Sequence, residues 1–209
     1  MTTVDDRRLY LVAPGRLAAG LLADLVPELA EAGVDLLQLR EKDLEAGDVL
    51  RVGEAVGAAC HAARLPFIVN DRPDLALALG ADGVHLGQND VPVWVARRIL
   101  GNAIVGRSTH APGEIDAAPR EGPDYVAVGP VYSTPTKPGR PAAGLELVRY
   151  AATHARPPWF AIGGIDGGTL ASVLEAGARR IVVVRAITEA ASPPEAAAGL
   201  RTLLDAFPP

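Results

Sequence analysis

Short apolar runs recur along this chain, and each is followed by a stretch of helical character. The runs do not alternate polar with apolar residues, which is typical of strands covered on both faces by a layer of helices. Eight of them occur: Leu9 to Ala13, Leu36 to Leu39, Phe67 to Val69, Gly83 to Leu86, Ile104 to Gly106, Tyr125 to Val128, Phe160 to Ile162 and Ile181 to Val184. Eight β/α units in one chain predict an α/β protein with the TIM (β/α)8 barrel fold.

The length of the chain and the positions of its glycines and prolines favour one domain. A chain of 209 residues is long enough for a single sizeable core. The phrases EAGVD, LGADGV and EAGARR each place a Gly where a helix should end before the next strand. The longest Pro/Gly-rich stretch, residues 130–144, lies inside the sixth unit and is interpreted as a βα loop and a candidate lid. We therefore expect a single domain over residues 1–209, with the barrel at about residues 8–207.

Charge and composition argue against several classes of protein. The net charge is −5 with no long run of one sign, so binding to nucleic acid or to an acidic membrane has no electrostatic support. The polar start lacks the apolar region of a signal peptide, and no stretch approaches the ~18 apolar residues of a membrane span. Cys60 is the single cysteine, so no internal disulfide can form. We expect a cytoplasmic protein with small-molecule ligands, and the sequence leaves a homo-oligomer open.

Two carboxylates follow neighbouring strands of the predicted barrel. Asn70 and Asp71 come directly after the third strand, and Asp90 comes shortly after the fourth. Parallel strands end at the same edge of a sheet, so Asp71 and Asp90 should be neighbours. Two carboxylates repel unless a proton or a cation lies between them, and oxygen ligands with open positions suit Mg²⁺ bound to substrate phosphates. The alternative is that Asp71 caps the helix that begins near Pro73.

The second strand ends in a charged segment. Alternation along an extended chain puts Gln38, Arg40 and Lys42 on one face, and Leu39 and Glu41 on the other. Two cations and an amide at a barrel mouth would suit a diphosphate, since arginine can hold two oxygens at once. The alternative is an ordinary charged strand end in which Glu41 pairs with either cation.

The fifth strand ends in Ser108, Thr109 and His110. A hydroxyl at Ser108 can hydrogen-bond a ligand ring, and His110 is a candidate general base. A serine nucleophile is disfavoured because no nucleophile elbow is present. His61, His85 and His154 are interpreted as structural, since they lie on predicted helices or inside a strand.

The last three strand ends carry groups that suit phosphate. The sixth loop reads STPTKPG from Ser133, with hydroxyls and the charge of Lys137; a solvated Pro-rich turn is the alternative. Gly163 and Gly164 follow the seventh strand, where backbone N–H groups can approach an anion. Many unrelated barrels share that feature, so it indicates a phosphorylated ligand and no particular reaction.

Taken in order, these motifs resemble the thiamine-phosphate synthase family. They are QLREK, VNDR, GADGVHLGQND, GRSTH, VGPVYSTPTKPG, AIGGI and VVVRAI, and they span about residues 9 to 190. TPTKPG together with the paired aspartates is specific, whereas AIGGI alone is not. Members of the family join 4-amino-2-methyl-5-hydroxymethylpyrimidine diphosphate to a thiazole phosphate and release pyrophosphate. The resemblance therefore implies a transferase of thiamine biosynthesis that uses Mg²⁺.

The resemblance also implies roles for individual residues. The pyrimidine diphosphate would contact Gln38, Leu39, Arg40, Glu41, Lys42, Asn70, Ser108 and Lys137, with Arg40, Lys42, Ser108 and Lys137 as the catalytic set. Asp71 and Asp90 would hold Mg²⁺. The thiazole phosphate would contact Thr134, Pro135, Thr136, Gly164, Val184 and Arg185. Many members have a small Ser where this chain has Arg185, so the role of this side chain is left open.

Two other functions compete with the synthase. A related thiazole tautomerase has the same barrel, but it is expected to carry a histidine where this chain has Pro130 and to lack an intact TPTK. A noncatalytic sensor of a phosphorylated ligand is a different class, and fold alone does not exclude it. Such a sensor would not need two metal carboxylates together with three cations, so the charged set favours the enzyme.

Overall fold

A closed barrel of parallel strands forms the centre of the molecule. The computed structural model describes residues 3–134 and 141–207. The strands in these ranges are β1 (Leu9–Ala13), β2 (Arg16–Leu17), β3 (Gly20–Leu21), β4 (Leu36–Leu39), β5 (Phe67–Asn70), β6 (Gly83–Leu86), β7 (Ile104–Thr109), β8 (Tyr125–Val128), β9 (Trp159–Ile162) and β10 (Ile181–Val183). The strand β1 pairs with both β4 and β10, which closes an eight-stranded barrel within the described residues. The predicted TIM barrel is confirmed.

Helices follow the barrel strands and surround them. Those in the described part of the chain are α1 (Leu22–Glu31), α2 (Ala46–Ala62), α3 (Pro73–Ala78), α4 (Val93–Leu100), α5 (Pro112–Glu121), α6 (Gly144–His154), α7 (Leu170–Glu175), α8 (Arg185–Thr188) and α9 (Pro193–Asp205). None of these helices has the length and apolar content needed to cross a membrane. The sequence analysis did not predict the β2–β3 hairpin or the short helix α8.

The strand β7 is longer than predicted. Its pairing with β8 continues through Ser108 and Thr109, which lie opposite Ala127 and Val128. These two polar residues are buried, and the apolar pattern that marked the start of the strand could not reveal them. The extension matters for function because it places Ser108 on a rigid strand instead of a loop.

Alternate residues of the strands supply two layers of core. The residues that point outwards pack against the helices, as Leu37 and Leu39 of β4 do. The residues that point inwards fill the barrel and include three aromatic rings, Tyr10, Tyr125 and Phe160. The centroids of these rings are 5.5–5.8 Å apart and their planes are nearly perpendicular. Edge-to-face packing of this kind gives the barrel a rigid interior.

Three aspartates fix neighbouring strands at the amino-terminal end of the barrel. Each aspartate lies just before a barrel strand, β4, β6 or β8. Its carboxylate accepts the backbone N–H of the first or second residue of the neighbouring barrel strand, β1, β5 or β7, and its own backbone N–H donates to the carbonyl of that same residue. The pairs are Asp35 with Leu9, Asp82 with Phe67 and Asp124 with Val105, and the carboxylate contacts are 2.7–3.0 Å long. These reciprocal hydrogen bonds set the register between neighbouring strands, and they give the backbone N–H and C=O groups at the strand ends hydrogen-bond partners.

Replacing Asp35 by Ala should lower the free energy of unfolding by about 2–3 kcal/mol. Its carboxylate also accepts from the Arg8 backbone N–H and from the Arg201 guanidinium, so three donors lose their acceptor together. Asp35→Asn keeps one side-chain oxygen and should lose less. Urea denaturation measures both variants, and Asp116→Ala is the surface control. A loss below about 0.5 kcal/mol for Asp35→Ala would contradict this role.

Candidate active site

A cavity of about 300 Å³ opens at the carboxyl ends of the barrel strands. Every barrel strand contributes residues at or near its end to the lining. The residues predicted from the sequence that line it are Gln38, Arg40, Asn70, Ser108, Thr134, Gly164, Val184 and Arg185. The fold thus brings together groups from both predicted subsites, for the diphosphate and for the thiazole phosphate. Pro135, Thr136 and Lys137 lie outside the described residues.

Of the three residues that strand alternation placed on one face, Gln38 and Arg40 line the cavity and Lys42 does not. Gln38 is buried and Arg40 is half-buried at the cavity wall. Burial lowers the pKa of Arg40, while the nearby charges of Asp71 and Asp43 raise it. Leu39 points away from the cavity into the outer core layer, so only its backbone is available to a ligand.

Glu41 has a structural contact of its own. Its carboxylate accepts the Gly15 backbone N–H at 2.6 Å, which ties the segment after β4 to the loop after β1. Within the described part of the chain, it forms no ion pair with Arg40 or Lys42. The alternative in which Glu41 neutralises either cation is therefore wrong, because Lys42 pairs with Asp71 instead.

Asp71 and Asp90 are neighbours, as expected for residues that follow adjacent parallel strands. Burial raises the pKa of Asp71, and a side-chain hydrogen bond and charge repulsion from Asp90 raise it further. Lys42 acts in the opposite direction, with its Nζ atom 3.7 Å from an Asp71 oxygen. The position that caps helix α3 is Arg72, so the alternative in which Asp71 caps this helix is wrong.

The backbone at Asp71 is also unusual. Its φ angle of 62° lies in the left-handed region, which non-glycine residues rarely adopt although Asp tolerates it better than most. A hydrogen bond of 2.8 Å from its N–H to the His85 carbonyl fixes this conformation. Residues in this backbone region cluster at functional sites, which agrees with the predicted metal role of Asp71.

The loop that carries Asp90 is anchored to β7. The Asp90 carboxylate accepts the Gly87 N–H at 2.6 Å, and the Gly87 carbonyl accepts from the Arg107 guanidinium at 2.6 Å. Gln88 donates to the Ser108 carbonyl at 2.6 Å. Arg107 is itself buried and lies 3.0 Å from the carboxylate of Glu121. The sequence analysis missed Arg107, although a charged residue inside the apolar segment IVGRST was the available signal.

The acidic pair suits Mg²⁺ better than a metal held wholly by protein. Among the described residues, no group of three or more His, Cys, Asp and Glu side chains could hold a metal ion. Two oxygen ligands that leave open positions fit Mg²⁺, which usually keeps waters and binds substrate phosphates. Burial and, after it, the neighbouring Asp90 raise the pKa of Asp71, and a bound cation would favour the charged form of both carboxylates. Ligation by Asp71 and Asp90 remains a prediction.

Ser108 pairs with a histidine that the sequence analysis interpreted as structural. Its hydroxyl lies 3.0 Å from Nε2 of His85, which is buried on β6. His110 also lines the cavity, but its ring Nδ1 bonds to the Gly129 carbonyl and its backbone N–H donates to the Glu114 carboxylate at 2.6 Å. Adjacency in the sequence therefore did not identify the histidine that contacts Ser108.

Glycines and a helix start form the opposite wall of the cavity. Gly164 has a φ angle of 66°, and a Cβ atom there would lie 2.7 Å from the Cβ of Tyr132, so only glycine fits without rearrangement. Val184 is the position just before helix α8. The Arg185 guanidinium lies 3.6 Å from the carboxylate of Glu189, and both residues line the cavity.

Comparison with known proteins identifies the family. The family model described as thiamine monophosphate synthase matches residues 9–187. The chain belongs to the thiamine monophosphate synthase family. It is 56% identical over 200 residues to the thiamine-phosphate synthase of Thermus thermophilus, covering 94% of this chain and 97% of that protein. It is 52% identical over 204 residues to the corresponding protein of Thermobifida fusca, covering 96% and 94%.

A solved member of the thiamine monophosphate synthase family shows the same structure. The thiamine phosphate pyrophosphorylase of Pyrococcus furiosus superposes with a TM-score of 0.86 at 32% identity, covering 96% of each chain. The resemblance inferred from the motifs is therefore confirmed at the level of the family and the fold.

Proposed function

We propose that this protein is a thiamine-phosphate synthase, a transferase of thiamine biosynthesis. It joins 4-amino-2-methyl-5-hydroxymethylpyrimidine diphosphate to 4-methyl-5-(2-phosphoethyl)thiazole, giving thiamine phosphate and pyrophosphate, or to the carboxylated thiazole, giving the same two products and CO2. Family membership supports the reaction, since the similar proteins span nearly the whole chain. The observation that carries the proposal is the arrangement at one edge of the barrel, where the Asp71–Asp90 pair lies beside Lys42 and near Arg40; of these four residues, Arg40 lines the cavity.

The charges at this edge suit a departing diphosphate. The bond between the pyrimidine methylene and the diphosphate oxygen breaks, and its electron pair leaves with pyrophosphate. Arg40 and Lys42 would neutralise the negative charge that builds on the leaving group, and Lys137 of the sixth loop would add a third cation. The methylene then becomes cation-like, and the thiazole nitrogen adds to it. No protein nucleophile takes part.

Asp71 and Asp90 would hold Mg²⁺, which when bound supplies Lewis-acid stabilisation of the phosphate oxygens. The protein's own residues do the rest. Gln38, Asn70 and Ser108 line the cavity and would orient the pyrimidine ring. The backbone at Gly164 and Val184 would bind the thiazole phosphate, with Thr134 and Arg185 contributing from the same wall. Pro135 and Thr136, which lie outside the described residues, are proposed to contact the same phosphate. Leu39 and Glu41 would contribute through backbone atoms.

Incubation of the protein with both substrates and Mg²⁺ tests the proposal. We expect release of one pyrophosphate for each thiamine phosphate formed, and no release when either the thiazole phosphate or Mg²⁺ is omitted. Isomerisation of a carboxylated thiazole phosphate without pyrophosphate release would show the tautomerase instead. Binding of a phosphorylated ligand without turnover would show a sensor.

Other expectations from the sequence stay predictions. They are the cytoplasmic location, the lack of nucleic-acid and membrane partners, the single domain over residues 1–209 and the possibility of a homo-oligomer, which the sequence leaves open. Size-exclusion chromatography with light scattering would measure the last of these directly.

A further inference from the structure

A chain of hydrogen bonds crosses the barrel interior beneath the cavity. Gln38 donates from Nε2 to the Tyr10 hydroxyl, which lies 2.8 Å from the Tyr125 hydroxyl. The Tyr125 hydroxyl lies 3.0 Å from Nδ1 of His85, whose Nε2 lies 3.0 Å from the Ser108 hydroxyl. All five side chains are buried, and none is more than 6% exposed. The chain links two residues proposed to orient the pyrimidine through three residues with no assigned role.

Packing of the aromatic rings holds this chain of hydrogen bonds in one arrangement. The Tyr125 ring stacks on His85 at a centroid distance of 5.6 Å and contacts Tyr10 and Phe160 edge-on. Gly106 provides the necessary space, because a Cβ atom there would collide with the Tyr125 ring and lie 2.6 Å from Nδ1 of His85. The rings therefore cannot rotate to other partners without disturbing the core.

The direction of the protons along the chain follows from the first donor. Because Gln38 donates to Tyr10, the proton of the Tyr10 hydroxyl is directed to Tyr125, since a buried donor needs an acceptor. The Tyr125 proton is then directed to Nδ1 of His85. Burial raises the pKa of both tyrosines, so both keep their protons. This order assigns the His85 ring proton to Nε2, from which it would be donated to Ser108.

We propose that Tyr10, Tyr125 and His85 are positioning residues that fix the direction of the Ser108 hydroxyl. Because the Ser108 oxygen accepts from His85, its own proton is available to an acceptor in the cavity. At the other end, the Gln38 amide uses Nε2 on Tyr10, which leaves its carbonyl oxygen as an acceptor. The cavity floor thus offers a donor at one end and an acceptor at the other. An aminopyrimidine carries the complementary ring nitrogen and amino group, so this role rests on the proposed function.

Tyr125→Phe removes the hydroxyl that links Tyr10 to His85 in the hydrogen-bond chain, while it keeps the aromatic ring. We expect the KM for the pyrimidine diphosphate to rise about tenfold, with kcat within about threefold and the KM for the thiazole phosphate unchanged. Inhibition by pyrophosphate alone should not change, since pyrophosphate lacks the ring. Tyr150→Phe, on the outer surface of α6, is the matched control and should behave as wild type. A rise in both KM values, or a fall in kcat alone, would overturn the positioning role.

Nitrogen-15 NMR of histidine-labelled protein tests the proton direction without any substrate. We expect the ring proton of His85 on Nε2 in the wild type, and a mixture of tautomers in Tyr125→Phe; the signal is assigned by its loss in His85→Gln. A proton on Nδ1 in the wild type, or an unchanged tautomer in the variant, would overturn the proposal.

Two further measurements keep the result unambiguous. If thermal melting shows that Tyr125→Phe does not fold, Tyr10→Phe is used in its place. We expect this variant to raise the KM for the pyrimidine diphosphate by about threefold only, because Tyr125 can still donate to His85. An equal effect on both substrates would again overturn the proposal. Absence of turnover in the wild type would refute the proposed function, whereas the tautomer of His85 decides the hydrogen-bond chain independently.

Discussion

Asp71→Asn should reduce turnover by about 10²- to 10³-fold while it makes the metal-free protein more stable. The amide has nearly the same shape but cannot supply a charged oxygen to Mg²⁺. It also removes the repulsion from Asp90 that, after burial, raises the pKa of Asp71. Activity and stability should therefore change in opposite directions, which a simple folding defect would not produce.

The pH dependence of this stability gain follows from the sign of the pKa change. A carboxyl group whose pKa is raised by folding destabilises the native state when it is charged. The advantage of the Asn variant should be complete above the raised pKa of Asp71 and should disappear as pH falls below the ordinary value for Asp. A change of about 1 kcal/mol would appear as a rise of roughly 2–4 °C in Tm.

Thermal melting with and without Mg²⁺, together with the pyrophosphate assay, measures both effects. Mg²⁺ should raise the Tm of the wild type and leave that of Asp71→Asn unchanged, since a ligand stabilises only the state that binds it. Asp74→Asn is the matched control, because Asp74 is exposed and pairs with Arg72. Turnover of Asp71→Asn within about threefold of the wild type would remove Asp71 from the metal site.

The barrel was predictable because its signals are local. A strand buried on both faces needs an uninterrupted apolar run, and a helix that ends before a strand often needs a Gly, so both requirements are written in neighbouring residues. The prediction of strand ends fails where the apolar pattern stops but the strand continues. Ser108 and Thr109 belong to β7 although they are polar, because their backbone pairing with Ala127 and Val128 of β8 continues past the apolar run.

The acidic pair was predictable for a related reason. Once the strands are known to be parallel, the topology alone puts residues that follow adjacent strands at one edge. This argument places Asp71 near Asp90, but it does not give the left-handed backbone at Asp71 or the contact with Lys42. Those depend on how the loops after β4, β5 and β6 pack together.

The buried chain of hydrogen bonds was not predictable from the sequence. Tyr10 and Tyr125 are 115 positions apart, and each stands in an apolar run where an aromatic ring is ordinary core. Periodicity shows that a side chain is buried but does not show which polar group it meets across the barrel. His85 was interpreted as structural for the same reason, and its contact with Ser108 appears only in three dimensions.

Arg40→Met should lower kcat/KM for the pyrimidine diphosphate by about 10²- to 10³-fold. The Arg40 backbone N–H donates to the Ala13 carbonyl at 2.9 Å, which continues the strand pairing past β4 and fixes where the guanidinium begins. The side chain is half-buried at the cavity wall near Asp71, so its charge is poorly screened by water. Its loss would remove stabilisation from the charge that develops on the leaving pyrophosphate.

Arg40→Lys separates charge from geometry. Lysine keeps the positive charge but cannot hold two oxygens in a planar fork, so it should recover part of the lost activity. Inhibition by added pyrophosphate should weaken in the same order, Met more than Lys, while the KM for the thiazole phosphate stays constant. Arg149→Met, which removes an exposed arginine paired with Glu146 on α6, is the control. If pyrophosphate inhibits Arg40→Met as strongly as the wild type, Arg40 does not contact the diphosphate, and the leaving group must be neutralised by other cations.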